Sequence, residues 1–260
     1  MYKTILFSVE GGVCRITLNR PDVFNSFNEE LSAEFIDALK KAAKDEAIRT
    51  LVISGEGKAF CSGQDLKDIK GELGNRSLGD SVLRRYNPMI LAIREMPKPV
   101  ICRLNGVAAG AGASLALACD IIIAAENASL IEVFSNVGLV PDSGSSFFLP
   151  HLVGYNKAFE LITLASKVTA QEAKDLGIVY KVVPAEDLDA AVNELAGRYA
   201  SGPTKSFAIT KRMLNKAYSS TLNEMLQQEY YGQEMAGRSE DYKEGVTAFI
   251  EKRKPNFRGR

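Results

Sequence analysis

The sequence predicts an α/β protein that carries a helical region on its C-terminal side. Two observations lead there: apolar runs of strand length alternate with helical periodicity up to about residue 200, and beyond Ser201 only helical periodicity remains. With 260 residues, 46% of them hydrophobic, the chain can bury a substantial core, as one large domain or as a main domain with an appendage.

The elements follow in order. ILFSVE and VCRITLNR alternate apolar and polar residues on either side of Gly11-Gly12 and read as a hairpin. After Pro21, Asn28 can cap a helix in which Leu31, Phe35, Ala38 and Leu39 recur at helical spacing. TLVISG reads as a buried strand ending at Gly55, VICRLNG as another behind Pro97 and Pro99, and DIIIAAENASLI continues the strand pattern after Asp120. Strands separated by helices imply right-handed crossovers and a largely buried sheet. Between Asp65 and Asp80 the stretch DLKDIKGELGNRSLGD loses periodicity and predicts a surface loop of the kind often set over active sites. GVAAGAGASLALACD passes from a glycine-rich loop into a buried helix over 112–120. Past residue 201, GPTKSFAITKRMLNKAY, TLNEMLQQEYYGQEM and SEDYKEGVTAFIEKRK predict three helices. Each is too short and too apolar on one face to stand alone, so they pack on the main body or on another subunit. The expected division is a core over 1–200 and a helical oligomerisation region over 201–260.

Composition narrows the function. Lys plus Arg and Asp plus Glu both number 32, so the formal net charge is 0 and no broad field for nucleic acid is expected. No apolar stretch reads as a membrane span, and MYKTILFSVEGGV lacks the pattern of a secretory signal, so a cytoplasmic address is expected. Cys14, Cys61, Cys102 and Cys119 form no CxxC pair and His151 is the single histidine, which argues against disulfides, zinc or another metal site. A Ser-His or Cys-His hydrolase would need His151 as its base, yet FFLPHLVG places it at the edge of a packed helix. Cys61 has no neighbouring histidine to activate it and reads as a small packing residue.

Three segments carry candidate chemistry. KAFCSGQDL, residues 58–66, follows a strand directly. In GVAAGAG the small residues Ala109 to Ala113 permit close backbone approach, and the first-turn N–H groups of the following helix are open to an anion; a tight helix crossing explains the same residues. The string lacks the strand-loop-helix unit and later acidic residue of a dinucleotide fingerprint. LVPDSGSSFFL sets Asp142 between a proline and small residues, where it suits a turn, a helix cap or a catalytic base.

The ordered combination of ITLNRP, KAFCSGQDL, KPVICRLNGVAAGAGASLALACD, FSNVGLVPDSG and AFIEKRKPNF, spread over nearly the whole chain, resembles the crotonase superfamily of enoyl-CoA hydratases and isomerases. Within it, NSFN, FCSGQDL, GLVPD and GRSEDYKEGV are similar to a bacterial group that isomerises ring-epoxidised phenylacetyl-CoA. The resemblance implies a spiral of repeated strand-strand-helix units, a C-terminal helical region used in trimers or dimers of trimers, and an acyl-CoA thioester as substrate. No tightly bound cofactor is implied; coenzyme A enters as part of that thioester. Its carbonyl would be held by the backbone N–H groups of Gln64 and Ala111. The two glutamates of the hydratases match Ser114 and Phe134, neither of which is a carboxylate, so the resemblance leaves Asp142 as the acidic group at the position isomerases use. A dehalogenase branch pairs an aspartate here with a histidine that His151 does not match. Coenzyme A contacts are implied at Lys58, Ala59, Phe60 and Lys67, with Phe249 and Lys252 approaching from a neighbouring chain. Ser114, Phe134, Phe147 and Phe148 are expected to border the substrate pocket. The expected activity is isomerisation through a thioester enolate, of an epoxyphenylacetyl-CoA to an oxepin-CoA or of a 3-enoyl-CoA to a 2-enoyl-CoA. The alternatives are a 2-enoyl-CoA hydratase and a non-catalytic acyl-CoA-binding protein.

Overall fold

The architecture is that of a computed structural model, which describes residues 2–67 and 77–260. Strands β1 (Ile5–Glu10) and β2 (Val13–Leu18) form the expected antiparallel hairpin, turning on Gly11 and Gly12 at positive φ. Helix α1 (Glu29–Lys44) starts where Asn28 accepts the Leu31 N–H at 2.9 Å, with Glu29 and Glu30 in the first turn and Lys41 and Lys44 in the last, the charge order a helix dipole favours. It buries Leu31, Phe35, Ala38 and Leu39.

Three strand pairs then repeat: β3 (Thr50–Gly55) with β4 (Ala59–Cys61), β5 (Val100–Leu104) with β6 (Val107–Ala109), and β7 (Ile121–Ala125) with β8 (Ser129–Ile131). The first strand of each pair joins a six-stranded sheet, β1-β2-β3-β5-β7-β10, and the second joins a four-stranded one, β4-β6-β8-β9. The chain climbs by one strand in both sheets per repeat, which makes the spiral expected from the resemblance. Strands β9 (Val168–Thr169) and β10 (Lys181–Val183) close the two sheets.

Register explains the buried apolar runs. Ile16 pairs with Ile53, Ile53 with Cys102 and Cys102 with Ile122, a row of buried side chains across four strands. On the opposite face Val52, Ile101 and Ile123 pack against Leu188 and Val192 of a helix at Leu188–Ala200. Both faces are covered, so the strands read as continuous apolar stretches.

The loop expected between Asp65 and Asp80 falls largely on residues 68–76, which lie outside the described residues. Its end is a correction: α2 (Leu78–Ser81) begins there, capped by Ser77, and a wide five-residue turn at Val82–Tyr86 joins it to α3 (Asn87–Arg94). In that turn the Asn87 N–H reaches back to the Val82 carbonyl, and Pro88 has no N–H to continue the ordinary ladder. The buried helix expected over 112–120 is α4 (Ala111–Ala118), every residue of it buried. Then come α5 (Ser145–Val153), α6 (Tyr155–Thr163), α7 (Ala170–Asp175) and α8, the helix at Leu188–Ala200.

The three C-terminal helices are α9 (Thr204–Ala217), α10 (Leu222–Gly237) and α11 (Glu240–Ile250). Buried Lys211 of α9 ties it to the body, bonding Asp120 Oδ2 and the Ile93 carbonyl, both at 2.7 Å. By contrast α10 and α11 leave Leu222, Tyr230, Phe249 and Ile250 largely exposed. No helix among the described residues is long and apolar enough to cross a membrane.

Candidate active site

The site forms where the second turns of two successive repeats meet. Gly63 sits at φ +89°, and a Cβ there would lie 2.9 Å from the Ala109 carbonyl oxygen and 3.4 Å from the Ala111 nitrogen. At Gly112 a Cβ would fall 2.2 Å from the Cys61 carbonyl oxygen. Glycine at these positions lets the SGQD and GAGA backbones touch, which a side chain would forbid.

That contact leaves two donors open. The Phe27 N–H bonds the Gly63 carbonyl and the Asp65 N–H bonds the Phe27 carbonyl, so the bridge uses the neighbours of Gln64 and turns the Gln64 N–H to the other side. Ala111 is the first residue of α4, where no helical carbonyl is in reach of its N–H. Neither N–H has an acceptor among the described residues. The Gln64 side chain is occupied in anchoring: Tyr86 Oη donates to its Oε1 and its Nε2 donates to the Phe27 carbonyl at 3.1 Å. Asp65 is held by Arg20 of the LNRP segment at 2.9 Å.

Gln64, Ala111 and Asp142 all line one cavity of about 490 Å³. Its wall is mainly apolar, with Leu66, Leu78, Val82, Tyr86, Val133 and Phe134 among the lining residues. Asp142 is half-buried, and removal from water raises its carboxyl above the ordinary value while a 2.7 Å hydrogen bond from Ser143 opposes the rise. The side chain caps no helix: α5 begins after Gly144 without a side-chain cap, and it is the Asp142 backbone carbonyl that accepts the Ser145 N–H. Of the meanings open for Asp142 in the sequence, the helix cap is therefore removed.

Other expected site residues are placed differently. Phe134 lines the cavity, whereas Ser114 is fully buried behind it, its hydroxyl 3.2 Å from the Asp142 carbonyl oxygen. Phe147 and Phe148 are not part of the lining: Phe147 packs edge-on against Phe148 and Tyr218, and Phe148 lies under the Arg94 guanidinium. Lys58 and Lys67 are exposed, Ala59 and Phe60 are buried in β4, and exposed Phe249 and Lys252 lie at the end of α11, which contributes nothing to this cavity. His151 is exposed at the edge of α5, stacked 4.0 Å from Tyr218. Burial pushes the Cys61 thiol up to about 12, in keeping with a packing residue.

Two parts of the site were not read from sequence. The first is the wall from Leu78 to Tyr86, signalled by the Ser77 cap and the helical recurrence of Val82, Tyr86, Met89 and Ile93. The second is Glu132, a carboxyl in the apolar string ASLIEVF, 5% exposed, with Oε2 lacking a partner among the described residues. Among the described residues no group of three or more His, Cys, Asp and Glu side chains could hold a metal ion.

Residues 8–260 match the family described as enoyl-CoA hydratase/isomerase. The chain belongs to that family, the crotonase superfamily, whose members act on acyl-CoA thioesters. It is 44% identical to the 1,2-epoxyphenylacetyl-CoA isomerase of Escherichia coli strain K12 over the whole of both chains. It is 41% identical to a probable enoyl-CoA hydratase of Rhodobacter capsulatus, covering 100% of this chain and 99% of that one. Among solved structures, a putative enoyl-CoA hydratase/isomerase from Mycobacterium abscessus superposes with a TM-score of 0.94 at 36% identity, over 98% of this chain and 100% of the other.

Proposed function

We propose that this crotonase-family enzyme is an acyl-CoA isomerase with Asp142 as its base. The observation that carries this reading is the convergence of Asp142 with the open N–H groups of Gln64 and Ala111 on one apolar cavity. Asp142 takes the proton α to the thioester, and the developing enolate oxygen is held by the two N–H groups, with the first turn of α4 adding its positive end. On a 3-enoyl-CoA the proton returns to the γ carbon and the double bond moves into conjugation. On 1,2-epoxyphenylacetyl-CoA the enolate electrons open the bridged ring toward the oxepin, and the proton returns to a ring carbon because substrate and product are isomers. The E. coli relative's name favours the second substrate. Ser114 and Phe134 disfavour hydration, since neither side chain can activate water as a carboxylate would.

Coenzyme A would run past the exposed Lys58 and Lys67, whose ammonium groups suit its phosphates, with the backbone of Ala59 and Phe60 at its edge. Phe249 and Lys252 would reach it only from a neighbouring chain, and the exposed apolar residues of α10 and α11 support a trimer-based assembly. The test is a panel of 1,2-epoxyphenylacetyl-CoA, a 3-enoyl-CoA and a 2-enoyl-CoA under one set of conditions. Isomerisation of one of the first two is expected; preferred water addition to the third overturns the reading.

A further inference from the structure

Behind the cavity wall a chain of hydroxyls links Glu132 to the site. Glu132 Oε1 lies 2.8 Å from Ser145 Oγ, which lies 2.6 Å from Ser114 Oγ, which lies 3.2 Å from both the Asp142 and the Gly110 carbonyl oxygens. The Gly110 carbonyl belongs to the same peptide group as the Ala111 N–H. One polar chain thus ends on the segment of the proposed base and on the peptide of a proposed oxyanion donor.

Counting hydrogens gives the chain a direction. It has three links, from carboxyl to Ser145, from Ser145 to Ser114 and from Ser114 to the carbonyls, but the two serines supply only two hydroxyl hydrogens. With Glu132 ionised, Ser145 donates to the carboxylate, Ser114 donates to Ser145, and both carbonyls are left without the Ser114 hydroxyl, the Gly110 carbonyl keeping the Ser114 backbone N–H at 3.0 Å. With Glu132 protonated, the acid donates to Ser145, Ser145 to Ser114, and the one Ser114 hydroxyl hydrogen is turned to the two carbonyls, which share it, so no link of the chain is without a hydrogen.

Resting on the isomerase reading, we propose that Glu132 is a positioning residue: its proton sets the direction of the Ser145–Ser114 chain, so that the Ser114 hydroxyl fixes the Asp142 segment and polarises the Gly110–Ala111 peptide. A hydrogen bond to the Gly110 carbonyl strengthens the Ala111 N–H as a donor to the enolate. The surroundings favour the neutral acid. Glu132 lines a small cavity with Leu117 of α4, Leu149 of α5, Leu161 of α6, Val168 of β9 and Ser166, and among the described residues Asp142 is the charged group that bears on it. Burial, and to a smaller extent the Asp142 charge, push the carboxyl up to about 7 against the opposing hydrogen bond from Ser145. Below that pH the chain points toward the active site; above it, Glu132 ionises and the chain reverses.

The rate of α-carbon hydrogen exchange in a bound acyl-CoA should therefore rise as Asp142 ionises and fall again on the alkaline side near pH 7. In E132Q, which has no ionisable group, and in S145A, which cuts the chain, the alkaline fall should disappear, with the rate of each at pH 6 within about tenfold of the unaltered enzyme. An alkaline fall kept in both folded variants overturns the proposal. Infrared difference spectra at pH 6 supply a readout independent of turnover: the carbonyl band of a protonated carboxylic acid should be present in the unaltered protein and in D142N, and lost in E132Q. If the band is present while D142N retains full exchange, the base assignment fails and the protonated Glu132 stands; if the band is missing, the proposal about Glu132 fails by itself.

Discussion

Asp142 and Glu132 are carboxyls ten residues apart, and the fold treats them in opposite ways. Asp142 is half-buried in the cavity wall, with a hydroxyl from Ser143 stabilising its charge. Glu132 is sealed behind that wall, with one oxygen on Ser145 and the other without a partner among the described residues. Desolvation raises both and a serine hydroxyl opposes the rise in each, yet Asp142 keeps access to the cavity, while Glu132 faces an additional negative charge. Chemical role thus follows surroundings more than residue type: one carboxyl can meet a substrate, the other can only act on what is packed against it.

The largest effect that tests this contrast is expected from D142N. Asparagine keeps size and turn-forming capacity but cannot take a proton, so turnover and α-carbon exchange should fall by about 10²- to 10⁴-fold while acyl-CoA binding and melting behaviour persist. Near-normal rates in a folded D142N protein would erase the distinction between the two carboxyls.

The next effect concerns stability. Glu132 has its folded-state value raised from 4.5 to about 7, so it favours folding below its unfolded value and loses that contribution as pH rises toward 7. The full shift corresponds to roughly 3 kcal/mol. Glu132 should therefore take stability from the protein between about pH 4.5 and 7, with Asp142 adding a slope of the same sign, and urea unfolding should show a smaller slope in E132Q. The same slope in both proteins would place the titration elsewhere.

The smallest effect is expected from S143A. Ser143 holds the Asp142 carboxyl down through its hydrogen bond, so removing it should move the acidic limb of the rate profile to higher pH and leave the alkaline limb in place. Movement of both limbs would mean that the two carboxyls cannot be separated in this way.

Much of the framework was legible in the chain. The Gly11-Gly12 hairpin, the Asn28-capped helix, the strands at Thr50–Gly55 and Val100–Leu104 and the three C-terminal helices depend on local turn chemistry and short-range periodicity, which one sequence carries directly. The family was legible because its motifs fix backbone geometry: Gly63 and Gly112 are required where two turns touch, whatever the substrate. The helix at Leu78 was lost inside a polar stretch, and the wide turn before Asn87 blurred the period that would have revealed it.

The order of the elements and the glycine motifs where two backbone turns touch were carried by the chain alone, while the match of Ser114 and Phe134 to the hydratase glutamates is what the family resemblance implies. Packing alone sets Phe147 and Phe148 outside the cavity lining, keeps the Asp142 side chain from capping a helix and joins Glu132 to Ser114 through Ser145. The physical reason is range. Caps, turns and periodicity act over a few residues, whereas the direction of a ring and the desolvation of a carboxyl are set by side chains that only the completed spiral brings together.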